Sequence, residues 1–418
     1  MLFYIDPGTG SMLFTILIGV LGAAIYGLRN VWMKLRFLAG GGRQAKTDAN
    51  RTPFVFFTDS KRYQTIFQPL CEEMDRRGES VLYLTASPDD PLLQENYAHV
   101  KCEFIGEGNS AFARMNMIRA DIVLSSTPGL DVYQWKRSRD VKWYVHVLHA
   151  ANDVTMYRMF GIDYYDAVMI SGAYMEQELR EMEAQRNLPA KEVRMAGLPH
   201  LDALRKRLLE SGAEAEHEKT VLLAPSWGSN SILQKYGEKI FEALLKTDYH
   251  VIVRPHPQSF VSEKELIDRL MAAYPESDKL EWNRDTDNFD VLKRSDILIS
   301  DYSGVMFDYS LVFDRPLVYA DTQFDNSVYD AWWMKEEPWT FRILDRLGVQ
   351  LTEDRLENLG ELLDDCRQNP GFREGREQAR RDTWENIGHS VESIADYLTE
   401  KRAALQPAED GRKAGDPA

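Results

Sequence analysis

The sequence predicts an α/β protein of two doubly wound lobes facing each other across a central cleft, preceded by an N-terminal membrane helix. Three observations lead there. Short apolar runs alternate with helical segments in two successive series, a polar stretch with no apolar pattern divides the series, and the run from Met12 to Leu28 carries no charge. Strands covered on both faces read as continuous apolar runs, and their alternation with helices builds parallel sheets.

The uncharged run lies near the lower limit of the roughly 17 to 25 residues that span a bilayer, so a tilted or re-entrant helix and a buried core helix both stay open. Asp6 is the only charge ahead of it, whereas Arg29, Lys34, Arg36, Arg43 and Lys46 follow. Positive residues stay inside, which places the following domain on the cytoplasmic side of the inner (cytoplasmic) membrane, held by a single anchor. A cleaved signal peptide would carry its basic residues first. We read 1–39 as the anchor and the Gly-rich, basic 40–52 as a linker.

Residues 53–210 form the first lobe. Its strands are expected at Phe54–Phe57, Val81–Leu84, Cys102–Ile105, Ile122–Leu124, Trp143–Leu148, Ala167–Ile170 and Val193–Ala196, with helices such as Tyr63–Arg77, Ala173–Gln185 and His200–Leu209. The segment 210–219 is the boundary. The second lobe, 220–352, repeats the rhythm at Val221–Ala224, His250–Val253, Leu280–Trp282, Asp296–Ser300 and Pro316–Tyr319. Charged helices over 353–405 pack back on the lobes, and 406–418 is a disordered tail.

The chemistry gathers at strand ends, where open parallel sheets bind ligands. After Ile297–Ile299 the chain reads Asp301, Tyr302, Ser303, Gly304, then a helix carrying Asp308. Ser303 as N-cap, with the free amides behind it, suits a phosphate, and Gly304 lets the backbone come close; equally, Ser303 merely caps a helix and Asp301 and Asp308 are solvated. After Val251–Val253 comes Arg254-Pro255-His256-Pro257. The two prolines hold His256 in a stiff loop beside Arg254, a pairing that suits a pyrophosphate. Ser226 and Trp227 follow a third strand, where Trp227 either contacts a nucleotide or packs between lobes. In WYVHVLH, alternation sends His149 and His146 to opposite faces, so the pair is no metal chelate.

A net charge of −16 opposes nucleic-acid binding. Cys71, Cys102 and Cys366 stand far apart, in no zinc or disulfide pattern.

RPHP followed by SDYSGVMFDY resembles the CDP-glycerol glycerophosphotransferase family, which builds teichoic-acid-type poly(alditol phosphate) chains. Asp301, Tyr302, Ser303 and Asp308 match its D-Y-S-S-x-x-x-D block, His256 its HP motif, His149 its HG histidine, and Ser226 with Trp227 its A-P-T-W segment. Gly304 replaces a serine, Ala150 stands where the glycine is expected, and a lysine usual shortly after is absent. The resemblance implies a GT-B architecture with an acceptor lobe first and a nucleotide-donor lobe second. It further implies a transferase that moves glycerol phosphate, or another alditol phosphate, from CDP-glycerol or CDP-ribitol to a hydroxyl of a lipid-linked or glycan acceptor, releasing CMP. His149 is then the candidate base, and His149, His256 and Asp308 form the catalytic set. Ser226, Trp227, Arg254, Asp301, Tyr302, Ser303 and Gly304 are then the donor-binding set. No cofactor is implied; a divalent metal is compatible with the chemistry, but no carboxylate cluster demands one. Two other readings remain: a GT-B glycosyltransferase using a UDP or GDP sugar, and a membrane-anchored binding protein that has lost turnover.

Overall fold

A computed structural model describes residues 51–212, 216–285 and 287–406. The expected anchor and nearly all of the linker and tail lie outside the described residues; among those described, no helix is long and apolar enough to cross a membrane.

From Thr52 onward the chain is one compact unit holding two all-parallel sheets. The first contains β1 (Thr52–Thr58), β2 (Val81–Thr85), β3 (Val100–Phe104), β4 (Ala120–Ser125), β5 (Val141–Val147), β6 (Ala167–Ile170) and β7 (Glu192–Met195), in the order β3-β2-β1-β4-β5-β6-β7. The second contains β8 (Thr220–Ala224), β9 (His250–Val253), β10 (Leu280–Trp282), β11 (Ile297–Ser300), β12 (Leu317–Ala320) and β13 (Gly348–Leu351), in the order β10-β9-β8-β11-β12-β13. Each sheet runs outward, returns to its first strand and runs the other way. The reversal falls between β1 and β4 in one lobe and between β8 and β11 in the other, and such switch points open a crevice at the strand C-termini.

The apolar runs are continuous because both faces of these strands are covered. In β1, Val55 and Phe57 join one buried cluster while Phe54 and Phe56 join another on the opposite face. In β8, Leu222 and Ala224 face one cluster, Val221 and Leu223 the other. Burying each large side chain contributes about 1.5–3 kcal/mol. One of these clusters contains residues of both lobes, including Val123, Leu198, Leu222, Tyr309 and Trp339, so the lobes share a core.

The last helices bind the two lobes together. Leu359–Gln368 covers the second sheet with Leu359, Leu363 and Cys366. Ser390–Leu405 returns to the first lobe, where Ile394 and Leu398 meet Phe54 and Phe67. The turn between them is held by Asp202, whose carboxylate accepts from Trp384 Nε1 at 2.9 Å and from the Gly388 and Ser390 amides at 2.8 and 3.0 Å.

Two local expectations need correction. Strand β13 is absent from the sequence reading: GVQL carries little apolar signal, and it pairs with β12 because Gly348 lets the backbones close where any Cβ would strike the Leu317 carbonyl. Beyond β11, Ser303 does not cap the helix. Its amide folds back onto the Asp301 carbonyl, Gly304 occupies the cap position without a side-chain bond, and only Val305–Phe307 is α-helical before a π-helical turn, Asp308–Val312.

Candidate active site

The crevice is lined by loops that leave the strands at the two switch points or next to them. From the first lobe come the turn after β1, with Arg62 and Tyr63, and the loop after β5, with His149. From the second come Ser226 and Trp227 after β8, His256 after β9 and the 301–308 segment after β11.

His149 lies two residues past the end of β5, half-buried between two phenols. Its ring centroid is 5.0 Å from that of Tyr63, and its Nδ1 is 3.2 Å from the Tyr157 hydroxyl. Burial, reinforced by the fields of His200 and Arg62, pushes its pKa down to about 4. At neutral pH it is therefore an uncharged imidazole, available to accept a proton.

His256 sits across the crevice. Its Nδ1 accepts the Gln258 amide at 3.1 Å, so the neutral ring carries its proton on Nε2, and the ring lies 6.4 Å from that of Trp227. Burial and Arg62 lower its pKa, with Glu263 opposing. Arg62 itself is exposed, anchored at Nε to Ser60 Oγ at 3.1 Å, and its charge reaches both histidines. Its neighbour Lys61 is taken up by Asp89. Trp227 is 52% exposed, an indole face open to the crevice beside His256.

His200 joins the lobes. It occupies the first turn of the helix Pro199–Glu210, with Nδ1 2.9 Å from Thr65 Oγ1 and Nε2 3.2 Å from Asp308 Oδ1. Burial alone would lower its pKa, but the Asp308 carboxylate prevails and raises it. Asp308 therefore enters the site through His200. The sequence reading missed this residue, although Leu-Pro-His after β7 repeats the pattern of a proline-held histidine at a strand end that singled out His256.

Other expected site residues support the crevice from behind. Asp301 is buried, and its carboxylate accepts the Ser226 amide at 2.6 Å and the Ile232 amide at 2.9 Å. It fixes the loop that carries Trp227. Arg254 turns along the sheet edge to Asn283. Tyr302 turns from the crevice into an aromatic group, 5.4 Å from Phe324 and 5.2 Å from Phe341 between centroids. Ser303 and Gly304 stay at the crevice, half-buried. A Cβ at Gly304 would lie 3.8 Å from that of Ala150, so the two departures from the family pattern face each other across the lobes. Among the described residues no group of His, Cys, Asp and Glu could hold a metal ion.

Residues 161–332 match the family model described as CDP-Glycerol:Poly(glycerophosphate) glycerophosphotransferase. This chain is similar to the CDP-glycerol glycerophosphotransferases. The matched range contains His200, Trp227, Arg254, His256 and the 301–308 block, and begins after His149. A teichoic acid glycerol-phosphate primase of Bacillus spizizenii is 32% identical over 108 residues, which cover 24% of this chain and 25% of that protein, so the match spans about a quarter of the relative's length. Among solved structures, the wall teichoic acid polymerase TagF, soaked with CDPG, superposes with a TM-score of 0.54 at 16% identity, covering 87% of this chain and 92% of that one. MnaA of S. aureus, solved with UDP, gives 0.55 at 12% identity over 84% and 96%. At these identities the structural likeness shows the fold: two lobes of the GT-B kind.

Proposed function

We propose that this protein transfers glycerol phosphate from CDP-glycerol to an acceptor hydroxyl and releases CMP, in the synthesis of a teichoic-acid-type polymer. The observation that carries the reading is the pair of neutral imidazoles, His149 and His256, on opposite lobes, with the exposed Arg62 guanidinium near enough to lower the pKa of both. The family match over 161–332 supports glycerol phosphate transfer as the chemistry.

The acceptor oxygen attacks the β-phosphorus, the bond from that phosphorus to the bridging oxygen breaks, and CMP leaves as the phosphodiester forms. The hydroxyl proton goes to His149 Nε2, which is free when Nδ1–H donates to Tyr157. His256 donates Nε2–H to a phosphate oxygen and Arg62 neutralises the charge that grows there. Trp227 stacks on the cytosine, and the amides beyond Ser303 lie against the phosphates. The Asp308 carboxylate favours the protonated form of His200, and the His200 charge helps to keep the His149 pKa low. The acceptor is lipid-linked or a glycan, and the uncharged run 12–28 supports catalysis at the cytoplasmic face of the inner membrane.

Thermal stabilisation of the full-length protein tests the donor. At about a hundred times its dissociation constant, CDP-glycerol should add about 2.7 kcal/mol, and His256→Ala should abolish the gain. Stabilisation by a UDP or GDP sugar instead would make the protein a glycosyltransferase.

A further inference from the structure

A second cavity, of 710 Å³, opens in the second lobe where β12 and β13 end. Ligand sites in open sheets lie at such strand ends, and the volume is that of a small-ligand pocket. It is not part of the crevice, but the two share a wall: Tyr302, flanked in the chain by Asp301 and Ser303, presents its ring to the cavity with Phe324 and Phe341. Trp332 adds a fourth aromatic face and is 61% exposed.

The charges around it are of two kinds. Lys335 and Arg342 line the cavity, both exposed, and neither forms an ion pair among the described residues. Glu336, Glu337 and Asp345 line it as well. Asp345 already accepts from the Tyr319 hydroxyl; a hydrocarbon tail would leave the other four without partners, and a plain polyanion would meet the three carboxylates. A chain that alternates hydroxyls with phosphates matches the set. Its C–H faces lie on the aromatic rings, its hydroxyls donate to the carboxylates, and its phosphates meet the ammonium and the guanidinium.

We infer that this cavity holds the acceptor, a polyol joined by phosphodiesters, and that the wall at Tyr302 directs its terminal hydroxyl to the crevice. This rests on the transferase reading above. Trp332 and Arg342 are then acceptor-binding residues, outside the donor and proton-transfer machinery.

Direct titration of the full-length protein with a synthetic trimer of glycerol phosphate, by calorimetry, tests the inference. Trp332→Ala and Arg342→Gln, each at an exposed side chain, should weaken trimer binding about tenfold, as expected for loss of one charged hydrogen bond or its equivalent. In transfer assays KM for the trimer should rise at constant kcat, while stabilisation by CDP-glycerol stays as in the wild type. Trimer binding that ignores both substitutions, or no trimer binding by the wild type, overturns the inference even where CDP-glycerol binds. Pocket-dependent trimer binding without any effect of CDP-glycerol would leave the pocket standing and remove the transferase reading.

Discussion

At the residue scale, burial holds two histidines of the first lobe neutral, and a carboxylate raises the pKa of a third. His146 is fully buried between Tyr157 and Tyr165, both ring nitrogens lack a hydrogen-bond partner, and its pKa falls to about 3. His149 falls to about 4. For both, the unfolded chain takes up a proton first as the pH drops below 6.5, so stability should fall from there towards pH 3–4. His200 works in the opposite sense. Its raised pKa contributes stability below 6.5 that fades as the pH rises through the raised value. His146→Phe should therefore flatten the acid limb of Tm against pH while leaving Tm at pH 7 nearly unchanged or higher, since it removes polar atoms that lack partners. For turnover, His149 stays in its basic form down to about pH 4, so the acid limb of kcat should lie well below the ordinary imidazole range. Asp308→Asn should move that limb up: loss of the carboxylate lowers the His200 pKa, and a His200 that has lost its proton no longer holds the His149 pKa down. A limb unmoved by this substitution would separate Asp308 from the base.

At the scale of elements, the loops depend on anchors buried beneath them. Asp301→Ala strips two backbone amides of their acceptor, at a cost of about 1–3 kcal/mol for each group left unsatisfied. It should also release the Ser226–Trp227 loop, so that CDP-glycerol stabilises the variant less than its lower Tm alone explains. Much of this level was legible in the sequence. Strands such as Phe54–Phe57 and Ile297–Ile299 stand out because both faces are buried, which makes apolarity continuous. Loops ending in His149 and His256 stand out because a polar residue follows such a run at once. β13 was hidden because close backbone approach at Gly348 decides it, not side-chain pattern. The role of Asp301 was hidden for a related reason: its partners, the amides of Ser226 and Ile232, are distant in sequence, and a backbone amide carries no sequence signal.

At the scale of the molecule, contacts across the lobes define the crevice. Asp153 of the first lobe accepts the Trp339 amide at 2.6 Å and the Thr340 amide at 2.8 Å, capping the start of the helix Trp339–Arg342 in the second. Beside it, burial and then Asp153 push Glu178 up to about 10, so this carboxyl stays protonated at neutral pH. Arg186 of the first lobe grips Asp163 at 2.6 Å and also Asp330 of the second, with the Phe160 and Trp333 ring centroids 4.6 and 5.0 Å from its guanidinium carbon. Breaking one partner of a buried pair costs about 3–5 kcal/mol. Arg186→Met should therefore lower stability by that order and raise KM for donor and acceptor together, as both lobes contribute to one crevice; circular dichroism melts and steady-state kinetics check this. If opposed imidazoles move glycerol phosphate between the lobes, phosphorus NMR of full-length protein incubated with CDP-glycerol and a glycerol phosphate trimer will register the transfer. CMP and a new phosphodiester should form in equal amounts, with His149→Ala slower by about 10²–10⁴-fold although CDP-glycerol still stabilises it. CMP formed as fast by His149→Ala as by the wild type, or no CMP from the wild type, would contradict that mechanism.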